Sequence, residues 1–236
     1  MKKGNIYIDS DSFFWPSDIS DEYMHEQREG ISFEKETMYD TTKKLPSVPL
    51  TLETEIYVPS SIADSERGGV MFGNYRASGS CFNFEIKDKG TVRLYYTNTN
   101  NTISEIIFKT DVRQDKWLHV AVTYDVENAK WTCYIDGVAF ATVSYMADPI
   151  APAALEKEFR LGGDMRSGNT SYFKGYMRSF AVYSDMRTAE EILADTINVD
   201  TMDANLIAYY KTPLSAMNAN IDDLSGNGYT LKCHSP

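Results

Sequence analysis

The stretch Lys116–Gly137, KWLHVAVTYDVENAKWTCYIDG, decides how this chain folds. Val120 and Val122 alternate with His119, Ala121 and Thr123, and farther on Trp131, Cys133 and Ile135 alternate with Thr132 and Tyr134. A period of two is that of a β-strand with one face in a core. The polar break from Asp125 to Lys130 contains Asn128 and reads as a hairpin connection. Asp136-Gly137 is a second turn signal, because both residue types tolerate positive φ. The stretch therefore predicts a hairpin inside a larger antiparallel sheet.

The same pattern recurs on either side. Phe82, Phe84 and Ile86 point one way and Asn83 and Glu85 the other; Asp88-Lys89-Gly90 turns the chain; Val92, Leu94 and Tyr96 oppose Arg93 and Tyr95; Ser104 to Lys109 makes a third strand. With the hairpin these strands read as one meander. Before them, Leu50, Leu52, Thr54, Ile56 and Val58 alternate with Thr51, Glu53, Glu55 and Tyr57, a face expected to be solvated. After the hairpin, Tyr172 to Tyr183 reads as a long strand. Thr188-Ala189-Glu190-Glu191 is a capping box that opens a short helix, with Ile192, Leu193 and Thr196 expected to face the sheet. Leu206 to Tyr210 and Tyr229 to Lys232 close the chain. About twelve short strands and one short helix near the C-terminus predict an all-β fold, a two-sheet antiparallel β-sandwich. Residues 31–236 read as one domain, and residues 1–30 as an N-terminal extension packing on it.

Bulk properties narrow the function. A length of 236 residues suits one large all-β domain. A net charge of −11 argues against nucleic acid, whose phosphates demand a basic surface, and against anionic membranes. The chain has no apolar run of roughly 18 residues, so membrane insertion is not expected. The three cysteines, Cys81, Cys133 and Cys233, match no zinc spacing and imply no disulfide framework. Cys133 reads as a small core hydrophobe. Met1-Lys2-Lys3 is like the start of a secretion signal, but no apolar segment follows. Composition leaves open whether the chain is cytoplasmic or a mature piece of a secreted protein.

The motif W-x-H-V-A-V-T-Y-D at residues 117–125, followed by W-T-C-Y-I-D-G at residues 131–137, resembles the central hairpin of the laminin G-like, concanavalin A-like jelly rolls. Tyr172-Phe173-Lys174-Gly175, leading through Val182-Tyr183 to Thr188-Ala189-Glu190-Glu191-Ile192, resembles that family's closing strand and helix. Together these matches span roughly Leu50 to Leu231. The resemblance implies a jelly roll of the lectin/glucanase superfamily. It also implies a non-catalytic carbohydrate-binding or adhesion module, a monomeric part of a larger secreted or cell-surface protein. Its partner would be a glycan or glycoprotein. A structural spacer or protein-interaction domain without a sugar site, or an atypical glycoside hydrolase, are the alternatives.

Candidate site residues follow. The superfamily's glycosidases carry an E-x-D-x-x-E signature, which this chain lacks; its nearest pair, Glu53 and Glu55, reads as a solvated strand face. No G-x-S-x-G elbow accompanies His119, and the resemblance implies that it holds its strand start. In the family the meander forms a concave sheet, so Asn83, Glu85, Arg93, Tyr95 and Tyr134, with His119 and Thr123, would line a groove. Amides, carboxylates and Arg suit sugar hydroxyls, and Tyr suits an apolar sugar face; the same residues also suit the polar side of any antiparallel sheet. Two loops would rim the groove: one with Asn74, Tyr75 and Arg76, the other with Asp164 and Arg166. Calcium is the expected metal, on Asp222, Asp223 and Asn227, which offer clustered oxygens; Asx turns account for the same residues. Where the family's closing strand begins G-x-I-D, this chain has Gly175-Tyr176-Met177-Arg178.

Overall fold

The Lys116–Gly137 stretch forms two paired strands joined by the expected polar turn, within a computed structural model that describes residues 30–33, 38–46, 48–75, 79–128, 130–144, 149–164, 171–212 and 219–234. In chain order the strands are β1 (Ile31–Ser32), β2 (Met38–Thr41), β3 (Thr51–Tyr57), β4 (Gly69–Gly73), β5 (Phe82–Ile86), β6 (Val92–Thr97), β7 (Ile103–Phe108), β8 (Trp117–Asp125), β9 (Lys130–Ile135), β10 (Val138–Ser144), β11 (Arg160–Leu161) and β12 (Tyr176–Tyr183). Helix α1 (Ala189–Asp195) and strands β13 (Leu206–Lys211) and β14 (Leu231–His234) complete the fold. One seven-stranded antiparallel sheet runs β1-β12-β3-β8-β9-β10, with β13 also paired to β12. The other runs β14-β2-β11-β4-β5-β6-β7. The architecture is the expected two-sheet sandwich. All but Gly30 of the expected extension, residues 1–30, lies outside the described residues.

Local chemistry explains the turns and the helix. Asp136 (φ 51°) and Gly137 (φ 76°) both adopt positive φ between β9 and β10, the geometry of a two-residue hairpin turn. Asp136 also ties the hairpin to the start of β8: its Oδ1 accepts from the His119 N–H at 2.9 Å, and its own N–H donates to the His119 carbonyl at 2.8 Å. At α1 the capping box forms as read. Thr188 Oγ1 accepts from the Glu191 N–H, and Glu191 Oε2 accepts from the Thr188 N–H at 2.7 Å.

The predicted inward set is the core. Phe82, Phe84, Ile86, Val92, Leu94, Tyr96, Val120, Val122, Trp131 and Cys133 are buried, and Ile135 is half-buried against them. Burial pushes the Cys133 thiol up to about 12, so it packs as a neutral hydrophobe. Aromatic rings bridge the sheets. Phe72 of β4 stacks on Phe159 (4.6 Å, 6°) and on Phe180 of β12 (4.7 Å, 27°). Trp131 of β9 stacks on Tyr124 of β8 (4.2 Å, 8°) and lies 6.1 Å from Tyr96 of β6 in the opposite sheet.

Three expectations are corrected. First, β7 and β8 are not neighbours. The β5-β6-β7 meander ends one sheet, and the chain then crosses so that β8 pairs with β3 and β9 in the other. Second, α1 buries Ile192 and Asp195, three residues apart on one helix face, while Leu193 is exposed. Third, Glu53 is not solvated; only 2% of it is exposed. It lies under α1 and the segment that leads into it. His119 Nε2 sits 3.1 Å from Glu53 Oε2, and Arg187 Nε sits 3.7 Å from Glu53 Oε1. Arg187 also pairs with Asp195 (2.8 Å) and Asp203 (2.7 Å) and stacks over the Tyr183 ring, whose hydroxyl donates to Asp195 at 2.9 Å. Glu55, half-buried on the same strand, pairs with Arg178, whose guanidinium lies 4.6 Å above the Trp117 ring.

One buried guanidinium thus serves three carboxylates. Burial raises the Glu53 carboxyl, partly opposed by the His119 contact, and burial likewise raises the Asp195 carboxyl. A raised folded-state value means that stability from these groups is fullest below the ordinary carboxylate range and declines as pH rises through the folded values. Arg187→Met should therefore cost about 3–5 kcal/mol near neutrality by stranding buried carboxylates. The deficit should shrink as pH falls toward the ordinary carboxylate range, as thermal melts of both proteins across pH would show. Trp131→Ala should cost about 3–5 kcal/mol at any pH, through a cavity between the sheets, measured by urea unfolding.

Candidate functional site

The outward face of β5 and β6 carries a depression of about 180 Å³ lined by Arg67, Tyr75, Asn83, Glu85, Arg93 and Tyr95. Alternation places Asn83 and Glu85 of β5 directly opposite Tyr95 and Arg93 of β6, on the side away from the core. Gly73 lets the floor close up: a Cβ there would lie 2.2 Å from Asn83 Oδ1. That amide oxygen instead takes the Tyr75 N–H at 3.2 Å, which brings the Tyr75 ring to the edge of the depression.

The floor is an ion-pair network. Arg93 Nε and Nη2 both donate to Glu85 Oε1, and Arg93 Nη1 donates to Glu105 of β7 at 2.9 Å. Lys87 Nζ donates to the same Glu105 oxygen at 2.9 Å. Glu85 is 2% and Arg93 6% exposed. Burial works against the Arg93 charge, but Glu85 and Glu105 outweigh it and hold the guanidinium ionised. Burial likewise works against the Glu105 carboxylate, and the hydrogen bonds from Arg93 and Lys87 outweigh it and hold it below the usual range. Above this floor stand two half-buried rings. Tyr75 and Tyr95 meet edge to face at 6.0 Å and 79°, and Arg93 Cζ lies 5.1 Å from the Tyr95 ring.

Five of the expected residues, Tyr75, Asn83, Glu85, Arg93 and Tyr95, therefore share one depression. Those of the others that are described do not join it. Tyr134 is on β9 in the opposite sheet, paired across from Ala121, because the chain changes sheets after β7; His119 and Thr123 stand on β8 in that same sheet. Asn74 is fully buried and joins backbone segments: its Oδ1 accepts from the Phe82 N–H at 2.8 Å, and its Nδ2 donates to the Ala154 carbonyl at 2.7 Å. Asp164 is also buried, beside Arg160, which donates to its carbonyl at 3.1 Å. Arg76 and Arg166 lie outside the described residues. Sequence reading missed Arg67. It sits in the polar connection before β4, and it reaches the depression because Gly68, against Ile86 of β5, carries the backbone close to the sheet.

The residues expected to hold calcium form a different device. Asp223 Oδ1 accepts from the N–H groups of Tyr209 (3.1 Å) and Ser225 (3.0 Å) and from Ser225 Oγ (2.7 Å). Asp223 Oδ2 accepts from the Tyr229 N–H at 2.9 Å. Asn227 Nδ2 donates to the carbonyls of Leu206 (2.8 Å) and Ile207 (3.1 Å), while Asp222 points to solvent as an exposed side chain. A carboxylate facing four donors presents the opposite polarity to a cation loop, so these residues do not fit calcium. The Asp223 network pins the 222–229 loop to β13. Among the described residues no cluster of three His, Cys, Asp or Glu side chains suits a metal. Asp223→Ala should lower stability by about 1–3 kcal/mol, since it orphans backbone donors. Scanning calorimetry in calcium and in chelator should return one midpoint for the unaltered protein; a calcium-dependent rise would show the carboxylate exchanging its donors for a cation.

Comparisons with known proteins agree with this architecture. Residues 36–193 match the family described as the concanavalin A-like lectin/glucanases superfamily. A candidate carbohydrate-binding protein of Bacteroides ovatus superposes with a TM-score of 0.63 at 18% identity, over 84% of this chain and 56% of its own. The chain thus spans little more than half of that relative. The CBM40 of the Ruminococcus gnavus IT-sialidase superposes with a TM-score of 0.53 at 21% identity, over 72% of this chain and 97% of its own. No curated protein matches the sequence. At such identities the likeness is one of fold. The family match covers well over half of the sequence and takes in β2 to β12 of the two packed sheets, and the chain belongs to the concanavalin A-like lectin/glucanase superfamily.

Proposed function

We propose that this domain is a non-catalytic glycan-binding module and that the depression over β5 and β6 holds the sugar. The observation that carries the reading is the pairing of a fixed polar floor with two adjacent tyrosine rings. A pyranose presents an apolar face and a rim of hydroxyls. Tyr75 and Tyr95 supply flat apolar surface with polar tips; Glu85 and Arg93, which fix each other, and Asn83, held by the Tyr75 N–H, supply donors and acceptors. The volume is below the range typical of drug-sized ligands and suits a single ring rather than a buried chain.

Binding fits this site better than hydrolysis. Glycoside hydrolysis uses two carboxyl groups, one of them protonated, flanking the scissile bond. The carboxylates here are committed to cations, Glu85 to Arg93 and Glu105 to Arg93 and Lys87, and the Glu105 carboxyl is held low by those partners, the wrong direction for a general acid. The depression would serve a module carried on a larger secreted or surface protein, meeting a glycan or glycoprotein as a monomer. A protein-contact role has one feature in its favour: Val138 and Phe140 are exposed on β10, an edge strand.

A glycan array followed by titration calorimetry on the 236-residue chain tests the reading. Tyr95→Ala should weaken binding of an array hit by about ten- to a hundredfold, or roughly 1.4–2.8 kcal/mol, with little change in melting temperature. Arg93→Ala should behave differently: it strands the buried Glu85 carboxylate and should cost about 3–5 kcal/mol of stability. If every hit binds Tyr95→Ala and Tyr75→Ala as it binds the unaltered chain, the sugar lies elsewhere. If no glycan binds, the protein-contact role on β10 takes its place.

A further inference from the structure

The charges around the depression are not all spent. Arg93 is matched by Glu85 and Glu105, and Lys87 by Glu105. Arg67 is exposed at the rim and, among the described residues, enters no ion pair or hydrogen bond. A solitary surface arginine is ordinary. This one is set apart by its place, since it lines a concave site whose other charged members are already paired. Among the described residues, a ligand entering the depression therefore meets a neutralised floor and one unmatched guanidinium.

We propose that the preferred ligand is an acidic saccharide, a sugar ring bearing one carboxylate, with that carboxylate on Arg67 and the ring against Tyr75 and Tyr95. This rests on the reading of the depression as a glycan site and adds to it the ligand's chemical class. A guanidinium offers parallel N–H donors in a planar fork, which matches a carboxylate with two bonds; an ammonium or a hydroxyl does not. Among the described residues a second carboxylate meets no further free cation, because Arg93 and Lys87 are occupied. The chain's net charge of −11 also repels polyanions at long range, so the preference acts only at contact distance. The site favours singly charged acidic sugars over heavily sulfated chains.

Matched monosaccharides decide this: galacturonate against galactose, and glucuronate against glucose, titrated by calorimetry or by NMR shift perturbation. Galactose 6-sulfate serves as the non-carboxylate anion. Within at least one pair the acid should bind about tenfold more tightly than the neutral hexose. Arg67→Ala should erase the difference within that pair, so that acid and neutral sugar bind this variant alike. Arg67→Lys should retain part of the difference, and Tyr95→Ala should weaken both sugars. Acid and neutral sugar binding equally, or a preference that survives Arg67→Ala, overturns the proposal and leaves the glycan site standing. Stronger binding of the sulfate ester than of the carboxylate also overturns it, in favour of a sulfated ligand. Failure of every sugar to bind overturns the glycan site and this inference together.

Discussion

Two seven-stranded sheets hold their relative position because aromatic rings from one stack on rings from the other. Phe72 belongs to one sheet and Phe180 to its partner, and the two stack with Phe159 on the remaining face of Phe72. Trp131 and Tyr96 make a second inter-sheet contact, backed by Tyr124. Burial of such rings supplies much of the driving force for packing, and their flat shapes restrict how the sheets slide. Because side chains alternate along a strand, fixing the inward rings fixes every outward residue as well. Asn83 and Glu85 stand where they do because Phe82, Phe84 and Ile86 are locked beneath them.

Each sheet carries a buried ionic network on its outward face, and the two are used differently. On the first, Glu53 and His119 are roofed by α1 and the segment ending at Arg187, and the guanidinium is shared among Glu53, Asp195 and Asp203. That network ties a helix to a sheet. On the second, Arg93 is matched by Glu85 and Glu105, and its upper side is the Tyr95 ring rather than a helix. The chemistry is similar, and the presence of a roof separates a structural clamp from the floor of an open depression.

The strands and their inward faces were legible because period-two alternation and turn chemistry are local properties. The Asp136-Gly137 turn and the Thr188–Glu191 capping box could be read directly. What lies across from a strand is not local. Nothing in the run from Ile103 to Trp117 announces that the chain leaves one sheet and enters the middle of the other, so Tyr134 and His119 looked like neighbours of Arg93. The solvated reading of Glu53 failed for a related reason: alternation separates the two faces of a strand but does not say whether a helix from far along the chain covers the outer one. Leu193, expected to face the sheet, is exposed while Asp195 is buried, because the roof of the first sheet rests on charge as well as on apolar contact. At Asp223 the residue types suited calcium, and only the direction of four N–H and O–H groups shows that its oxygens are already used.

The network beneath the tyrosines has a consequence for how the site can change. A polar group that is buried and unpaired costs stability, and one that must be stripped of water on binding costs affinity. Glu85 and Arg93 avoid both costs by satisfying each other before any ligand arrives. They neutralise each other rather than presenting a full charge, and the Arg93 guanidinium lies against the Tyr95 ring. On the glycan-site reading, discrimination would fall to the residues not committed to the floor, Arg67 in its loop and the two tyrosine rings. Those positions can vary without disturbing the core, because none of them belongs to the inter-sheet stacks; exchange of the floor residues would unbalance buried charge and destabilise the sheet that carries them. Selectivity in this fold is therefore altered most cheaply from the rim.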